Sequence, residues 1–142
     1  MWALAGWCAL HVAAVQLVGS PWWVPNFTLI GLVRGVVAAP SRWLWIAAVC
    51  GALLSLWVVR WPGALLLGCV AGGGLLRAAA AQWNLQDRRV ELATAAILSA
   101  GWVVSLLIMD HLWSLPIAGL AAWHVAATCA GLAASRRLRG PG

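Results

Sequence analysis

The stretch from Pro62 to Gln82 reads PGALLLGCVAGGGLLRAAAAQ, and it decides the fold class. Its single charged residue is Arg77. A bilayer-spanning helix needs about 20 mostly apolar residues, which this stretch supplies. Backbone groups in hydrocarbon have no water to bind, so they must be satisfied within the segment. The stretch is therefore expected to be a transmembrane α-helix.

The rest of the chain has the same character. Its 142 residues are 64% hydrophobic and 8% charged, with a mean hydropathy of +0.93. Soluble domains carry about 25% charged residues, so lipid must cover much of this surface. Six stretches qualify as spans: 2–19, 22–39, 43–59, 62–82, 91–109 and 113–135. The sequence predicts an all-α membrane protein with about six transmembrane helices, a basic tail at 136–142 and no soluble domain.

The arginines predict how these helices are oriented. Arg42 follows the second stretch, Arg88 and Arg89 separate the fourth from the fifth, and the tail follows the sixth. These positions fall on one side of the membrane, whereas the opposite side receives Arg60. Positive charge near helix ends marks the cytoplasm, so both termini are expected inside. The first stretch is a span, a re-entrant segment or a cleaved signal peptide, and these alternatives change only the position of the N-terminus.

Two arginines, Arg34 and Arg77, lie inside apolar stretches. An intramembrane charge is a functional hypothesis by default. Each of these lies about five residues before a predicted cytoplasmic end, so its guanidinium can also reach the lipid headgroups. The two interpretations are headgroup contact and a buried contact within the bundle or with a partner.

Glycine spacing points to close helix packing. Gly31 and Gly35 form one G-x-x-x-G motif, and Gly68 and Gly72 form another. Small residues four apart let two helices approach closely. The motifs therefore mark either packing inside the bundle or docking faces for a partner helix.

The sequence offers no catalytic constellation. The acids Asp87, Glu91 and Asp110 all lie at predicted helix ends, where Asp87 and Glu91 are expected to cap the fifth helix. An acid in mid-membrane, which proton-coupled transporters use, is absent. Asp110 and His111 are adjacent, and neighbours on a helix do not face each other. We therefore expect a protein that is not an enzyme.

Cofactor and metal sites are not expected either. The four cysteines have no C-x-x-C spacing, and no set of ligands reaches the number that a zinc site needs. The tail residues Arg136, Arg137 and Arg139 are expected to meet anionic lipid headgroups rather than nucleic acid.

Several short motifs follow one another along the chain. Pro25–Asn26 enters the second apolar stretch, and a short hairpin follows at Pro40–Ser41–Arg42. A hydrophobic core then begins at Gly51, and it is followed by the turn at Trp61–Ala64 and, at the end, by the basic tail. In these motifs, from about Pro25 to Arg139, the chain resembles the MreD family of bacterial rod-shape-determining membrane proteins.

The chain departs from the family pattern at two polar positions. Ser55 stands where members often have an acid, and His124 stands where they often have an asparagine. A partner contact that depends on those polar side chains is therefore in doubt here.

This resemblance implies a non-catalytic role in the bacterial inner membrane. Proteins of this family resemble the binding subunits of energy-coupling-factor vitamin transporters in fold, and they belong to the cell-elongation complex that builds peptidoglycan. The implied partners are single-span MreC, the glycosyltransferase RodA and its penicillin-binding transpeptidase. The alternatives are a small-molecule-binding subunit of a vitamin transporter and an accessory subunit of another membrane complex.

Overall fold

A computed structural model describes residues 2–57, 62–84, 87–109 and 115–137. These residues form six α-helices without a β-strand, which confirms the all-α prediction. The helices are α1 (Trp2–Val18), α2 (Phe27–Ala38), α3 (Trp43–Trp57), α4 (Pro62–Gln82), α5 (Arg88–Met109) and α6 (Leu115–Arg137). Short 3₁₀ turns at Pro21–Trp23 and Pro40–Arg42 lead into α2 and α3.

Three of these helices are long and apolar enough to cross a bilayer. Within the described residues, the qualifying windows are Gly63–Gln82, Arg88–Ile108 and Ile117–Arg136, in α4, α5 and α6. The apolar helices of the first half are shorter. The 12 residues of α2 make a helix of about 18 Å, compared with a hydrocarbon core of about 30 Å. The structure therefore supports three spanning helices by length rather than six.

Helix α2 is short because Pro25 and Asn26 set its start. Residues 22–39 were expected to form one helix, but the chain makes a 3₁₀ turn and then an extended segment before Phe27. A residue that precedes proline disfavours the helical conformation, which stops a continuous helix here. The Asn26 side chain then caps α2, since its Oδ1 accepts a hydrogen bond of 3.0 Å from the Leu29 backbone N–H.

Helix α2 also forms the centre of the bundle. It packs against all five other helices. Ile30, Leu32, Val33 and Val36 are almost completely buried. A helix that is apolar around its circumference belongs in a core. The other five helices therefore form a shell around α2 and present their outer faces to the surroundings.

The closest helix pair in the shell is α3 with α4. A side chain at Gly51 on α3 would place its Cβ 2.7 Å from the Leu66 Cα, and one at Gly73 on α4 would lie 2.8 Å from the Ala47 Cβ. Only glycine permits such an approach of two backbones. These two positions fix the α3–α4 contact.

We predict that Gly51→Ala destabilises the bundle by about 1–3 kcal/mol, because its new methyl group meets backbone that cannot move aside. Thermal unfolding of the purified protein in mild detergent measures the effect as a lower midpoint. Gly6→Ala is the matched control, because Gly6 is exposed on α1 and a Cβ there meets nothing within 4 Å. Equal midpoints for the two variants would contradict the α3–α4 packing.

Candidate functional site

A buried cluster of charges joins three helices at one end of the bundle. Glu91, in the first turn of α5, is only 1% exposed. Its Oε1 lies 2.9 Å from Nη1 of Arg34 on α2. Its Oε2 lies 2.6 Å from Nε of Arg136 on α6. One carboxylate therefore pairs with cations from two helices.

Further hydrogen bonds hold the Arg34 guanidinium, whose side chain is 12% exposed. Its Nε and Nη2 donate to Ser135 Oγ at 3.1 and 2.9 Å. Nη2 also donates to the Leu132 carbonyl oxygen at 2.9 Å. The Ser135 hydroxyl in turn donates to that carbonyl at 2.7 Å. A buried charge is tolerated only when it is paired and hydrogen-bonded, and the last turns of α6 meet that requirement for Arg34.

The cluster decides how two of the arginines are placed. Of the two interpretations of Arg34, the structure shows the contact within the bundle, because its guanidinium points to Glu91 and α6 rather than out of the bundle. Arg136 is not a freely lipid-facing tail residue, since it lies in the last turn of α6 as the second partner of Glu91 and is 31% exposed. In both cases the counter-charge is the buried carboxylate of Glu91, which the sequence predicts to be a cap at the start of α5.

The remaining charged candidates have other surroundings. Arg77 is exposed on α4, and headgroup contact for it stays a prediction. The expected cap at Asp87 is confirmed, since its Oδ1 accepts a hydrogen bond of 2.8 Å from the Arg89 backbone N–H. Asp110, His111 and Arg139 lie outside the described residues, as does the side chain of Arg137.

Three of the four motif glycines pack inside the bundle. A Cβ at Gly31 would lie 2.8 Å from the Trp7 Cβ, and one at Gly35 would lie 2.9 Å from the Ile46 Cγ2. A Cβ at Gly68 would lie 3.0 Å from the Trp102 ring. Gly72 has looser neighbours, with Leu32 on α2 3.6 Å away. Internal packing is therefore their role here, and a partner helix cannot dock on Gly31 or Gly35 without displacing α1 or α3.

A second polar group lies where α6 passes the start of α2. The Asn26 backbone N–H donates to Thr128 Oγ1 at 2.9 Å, and this hydroxyl donates to the His124 carbonyl at 2.8 Å. The Trp22 ring meets the His124 ring edge-on, with centroids 6.3 Å apart. His124 is thus buried in contact with the residues that lead into α2.

Ser55 makes a hydrogen bond within its own helix, since its hydroxyl donates to the Gly51 carbonyl at 2.7 Å. The side chain is half-buried. The hydroxyl is therefore satisfied locally on α3.

Two cavities adjoin these elements. The larger, of about 330 Å³, lies among α2, α3, α4 and α5, and its wall includes Asn26, Thr28, Cys69 and Trp102. The smaller, of about 40 Å³, is lined by His11, Trp22, Asn26, Trp102, Leu106 and His124. Asn26 and Trp102 belong to both walls, so the cavities are neighbours.

The cysteines form no metal site in the described part of the chain. Cys8, Cys50 and Cys69 are buried and come from three different helices, and all are free thiols. No group of three or more His, Cys, Asp or Glu side chains among the described residues is placed to hold a metal ion. The cysteines serve as small packing residues of the core.

The outer face of α6 is a feature that the sequence reasoning missed. Its exposed residues include alanines at every fourth position, namely Ala118, Ala122, Ala126, Ala130 and Ala134. The spacing is visible in the sequence. However, only the structure shows that this stripe points outward whereas the G-x-x-x-G motifs point mainly inward. We call these five residues the alanine stripe.

Comparison with protein-family models, with curated proteins and with solved structures found no match for this chain.

We predict that Glu91→Leu destabilises the bundle by about 3–5 kcal/mol, because Arg34 then remains buried without its counter-charge. The double variant Arg34→Met with Glu91→Leu should recover most of that loss, since it removes the buried pair and leaves only Arg136, which is 31% exposed. Thermal unfolding in detergent measures both.

Asp87→Asn is the matched control for these variants. It removes a carboxylate at the same end of α5 but keeps a good capping side chain, so its unfolding midpoint should stay near that of the wild type. A Glu91→Leu protein as stable as the control would contradict the buried ion cluster.

Proposed function

We propose that this chain is a non-catalytic membrane scaffold that docks the transmembrane helix of another protein. In this proposal it acts as an MreD-like member of the cell-elongation complex in the bacterial inner membrane.

The observation that carries the proposal is the alanine stripe on α6. Its five residues lie on one face and extend over most of the helix, from Ala118 to Ala134. Association of helices in lipid depends on close van der Waals packing, and small residues at i and i+4 permit it. A stripe of this length offers a complete transmembrane helix a surface for close contact.

The faces that α4 and α5 expose differ from this stripe. Exposed side chains on α4 include Leu67 and Leu75, and those on α5 include Ile97 and Ile108. Such large apolar residues suit lipid chains. Among the α6 side chains whose burial is described, the exposed large hydrophobic residue is Trp123, beside the stripe. Among the three helices that are long enough to span a bilayer, this contrast favours α6 as the docking helix.

The family resemblance suggests which partner would dock. A single-span protein of the MreC type has one transmembrane helix, and the one alanine stripe provides a docking surface for one helix. RodA and its penicillin-binding transpeptidase would then join the same complex. The Asn26 cap at the start of α2 gives the Pro25–Asn26 match a structural role, although it does not identify a partner.

The topology that goes with this role has six helices and both termini in the cytoplasm. The ion pairs of Glu91 support part of this topology, because they bring the C-terminal ends of α2 and α6 beside the start of α5. The arginine pattern in the sequence assigns these three helix ends to the same side of the membrane. The short helices α1, α2 and α3 would then cross the membrane with the longer helices around them.

We predict that a periplasmic reporter fused after Gly19 is active, whereas one fused after Arg89 is inactive. Positive charge at Arg88 and Arg89 retains that loop in the cytoplasm. Enzyme activity of the fusions, normalised to their expression, measures the topology. An active reporter after Arg89 would contradict the six-helix arrangement.

A small-molecule-binding subunit of vitamin-transporter type is the alternative, and the cavity of about 330 Å³ favours it. Ligand pockets have volumes of about 300–1,000 Å³, so this cavity is at the small end of the range. An accessory subunit of another membrane complex is the third candidate. The alanine stripe favours the scaffold over these alternatives, because neither a transporter pocket nor a lipid-facing surface requires a row of exposed alanines.

We predict that Ala126→Leu weakens binding of a co-expressed MreC-type protein about tenfold or more. Extra methylene groups in a close contact cost about 1–3 kcal/mol, and 1.4 kcal/mol is a factor of ten in affinity. Energy transfer between labelled proteins in lipid nanodiscs measures the dissociation constant.

Ala100→Leu provides the control for this measurement. Ala100 is exposed on α5, so the same substitution there should leave both folding and binding unchanged. Unchanged binding by Ala126→Leu, in protein that is as monodisperse as the control, would overturn docking on α6. Self-association through the stripe in place of MreC binding would also overturn the assigned partner.

A further inference from the structure

The shell around α2 has a long side and a short side. The three helices with spanning windows are neighbours, since α4 contacts α5 and α5 contacts α6. The shorter helices α1 and α3, of 17 and 15 residues, contact each other. The Pro21–Trp23 turn contacts both α1 and α6, so it lies between them. The short side therefore runs from this turn through α1 to α3.

The Pro21–Trp23 turn lies deep beside α6. The spanning window of α6, Ile117–Arg136, has 20 residues and is about 30 Å long, like the hydrocarbon core of a bilayer. The Trp23 ring packs against the ring of Trp123, with centroids 6.4 Å apart. Between Ile117 and Trp123 the helix rises about 9 Å. In a bilayer of uniform thickness, this turn would therefore lie within the hydrocarbon.

Hydrocarbon does not suit what the chain exposes at this turn. Residues 19–26 form no α-helix, and Gly19, which offers only backbone, is exposed. Irregular backbone that faces lipid is not found in hydrocarbon, because its N–H and C=O groups need water. Trp23 and Trp123 are 56% and 52% exposed, and such indole rings prefer the headgroup level. Both features call for headgroups and water at this depth.

The length of α1 indicates the same depth from separate residues. This helix, Trp2–Val18, is about 25 Å long. Its last turn exposes a polar side chain, that of Gln16, and from Trp2 to Gln16 the helix rises about 21 Å. The α6 window exceeds these two lengths by about 5 and 9 Å. The short side is thus thinner by an amount similar to the depth of Trp123.

We propose that lipid headgroups descend along the short side to Gln16, Trp23 and Trp123, so that the hydrocarbon is thinned there by about 5–9 Å. The affected leaflet is the one at the start of α6, which is the outer leaflet in the proposed topology. A polar side chain, irregular backbone and two indole rings match headgroups, whereas a docked apolar helix would need a closely packed face. The thinning rests on the proposed function only in that α6 crosses the membrane.

Spin labels that report depth test the thinning directly. Trp23→Cys and Val104→Cys are made in a variant without the native cysteines, labelled and placed in lipid nanodiscs. Val104 is 45% exposed on the long side, about 6 Å from the end of the α5 window at Ile108. Collision rates with oxygen and with a polar nickel complex give each depth. We expect headgroup depth at 23 and hydrocarbon depth at 104, although uniform thickness requires position 23 to be the deeper one.

A second label keeps both indole rings in place. Gln16→Cys should also give headgroup depth. The double variant Trp23→Leu with Trp123→Leu should move this label toward the hydrocarbon, because the rings that favour the headgroup level are then absent. Trp45→Leu is the matched control. Trp45 is 75% exposed near the start of α3, at the opposite edge of the membrane, so its loss should leave the label where it is.

A label at 23 that lies deeper than the label at 104 would overturn the thinning, as would hydrocarbon depth at Gln16→Cys. Shielding of position 23 from both reagents in native membranes, but not in nanodiscs, would assign this surface to a partner protein and overturn the contact with headgroups. Headgroup depth at 104 as well would contradict the membrane placement of the long helices, and with it the proposed function. None of these outcomes depends on helix docking at the alanine stripe.

Discussion

The structure depends on the neutralisation of one buried cation in its central helix. Arg34 lies on α2, which the other five helices surround, and its guanidinium is held by Glu91, Ser135 and the Leu132 carbonyl. The free energy needed to bury a charge makes this contact a strict condition on the fold. It requires that the start of α5 and the end of α6 lie beside α2. Arg136, as the second partner of Glu91, strengthens the same requirement.

This condition also fixes the rotation of α6 about its axis. The inward contacts of α6 come from His124, Thr128, Leu132 and Ser135, which follow one face of the helix. Residues two apart on a helix differ by about 200° in direction, so Ala126 and Ala130 must point outward. Gly131 permits close approach, because a Cβ there would lie 2.9 Å from Ile30 on α2. The proposed docking face is therefore a consequence of the polar contacts on the opposite side of α6.

Composition and apolar run length were enough to predict the all-α fold and the bounds of α4. They could not predict that α2 is short, because residues 22–39 are apolar apart from Asn26, Thr28 and Arg34, and only Pro25 and Asn26 mark the break. Arg34 was open to two interpretations in the sequence, since its counter-charge Glu91 is distant along the chain and resembles a cap. The direction of each glycine or alanine face depends on tertiary packing. Spacing alone therefore could not separate the internal motifs from the exposed stripe.

The docking role is tested most directly by cysteine cross-linking along α6. Single cysteines at each position from 118 to 134, in a variant without the native cysteines, are paired in membranes with cysteines in the helix of an MreC-type partner. Our account predicts that cross-linking peaks at the five alanine-stripe positions, with a four-residue period and a minimum at Thr128 and Leu132. A uniform profile, or a stronger profile when the same scan is made along α4, would contradict the account.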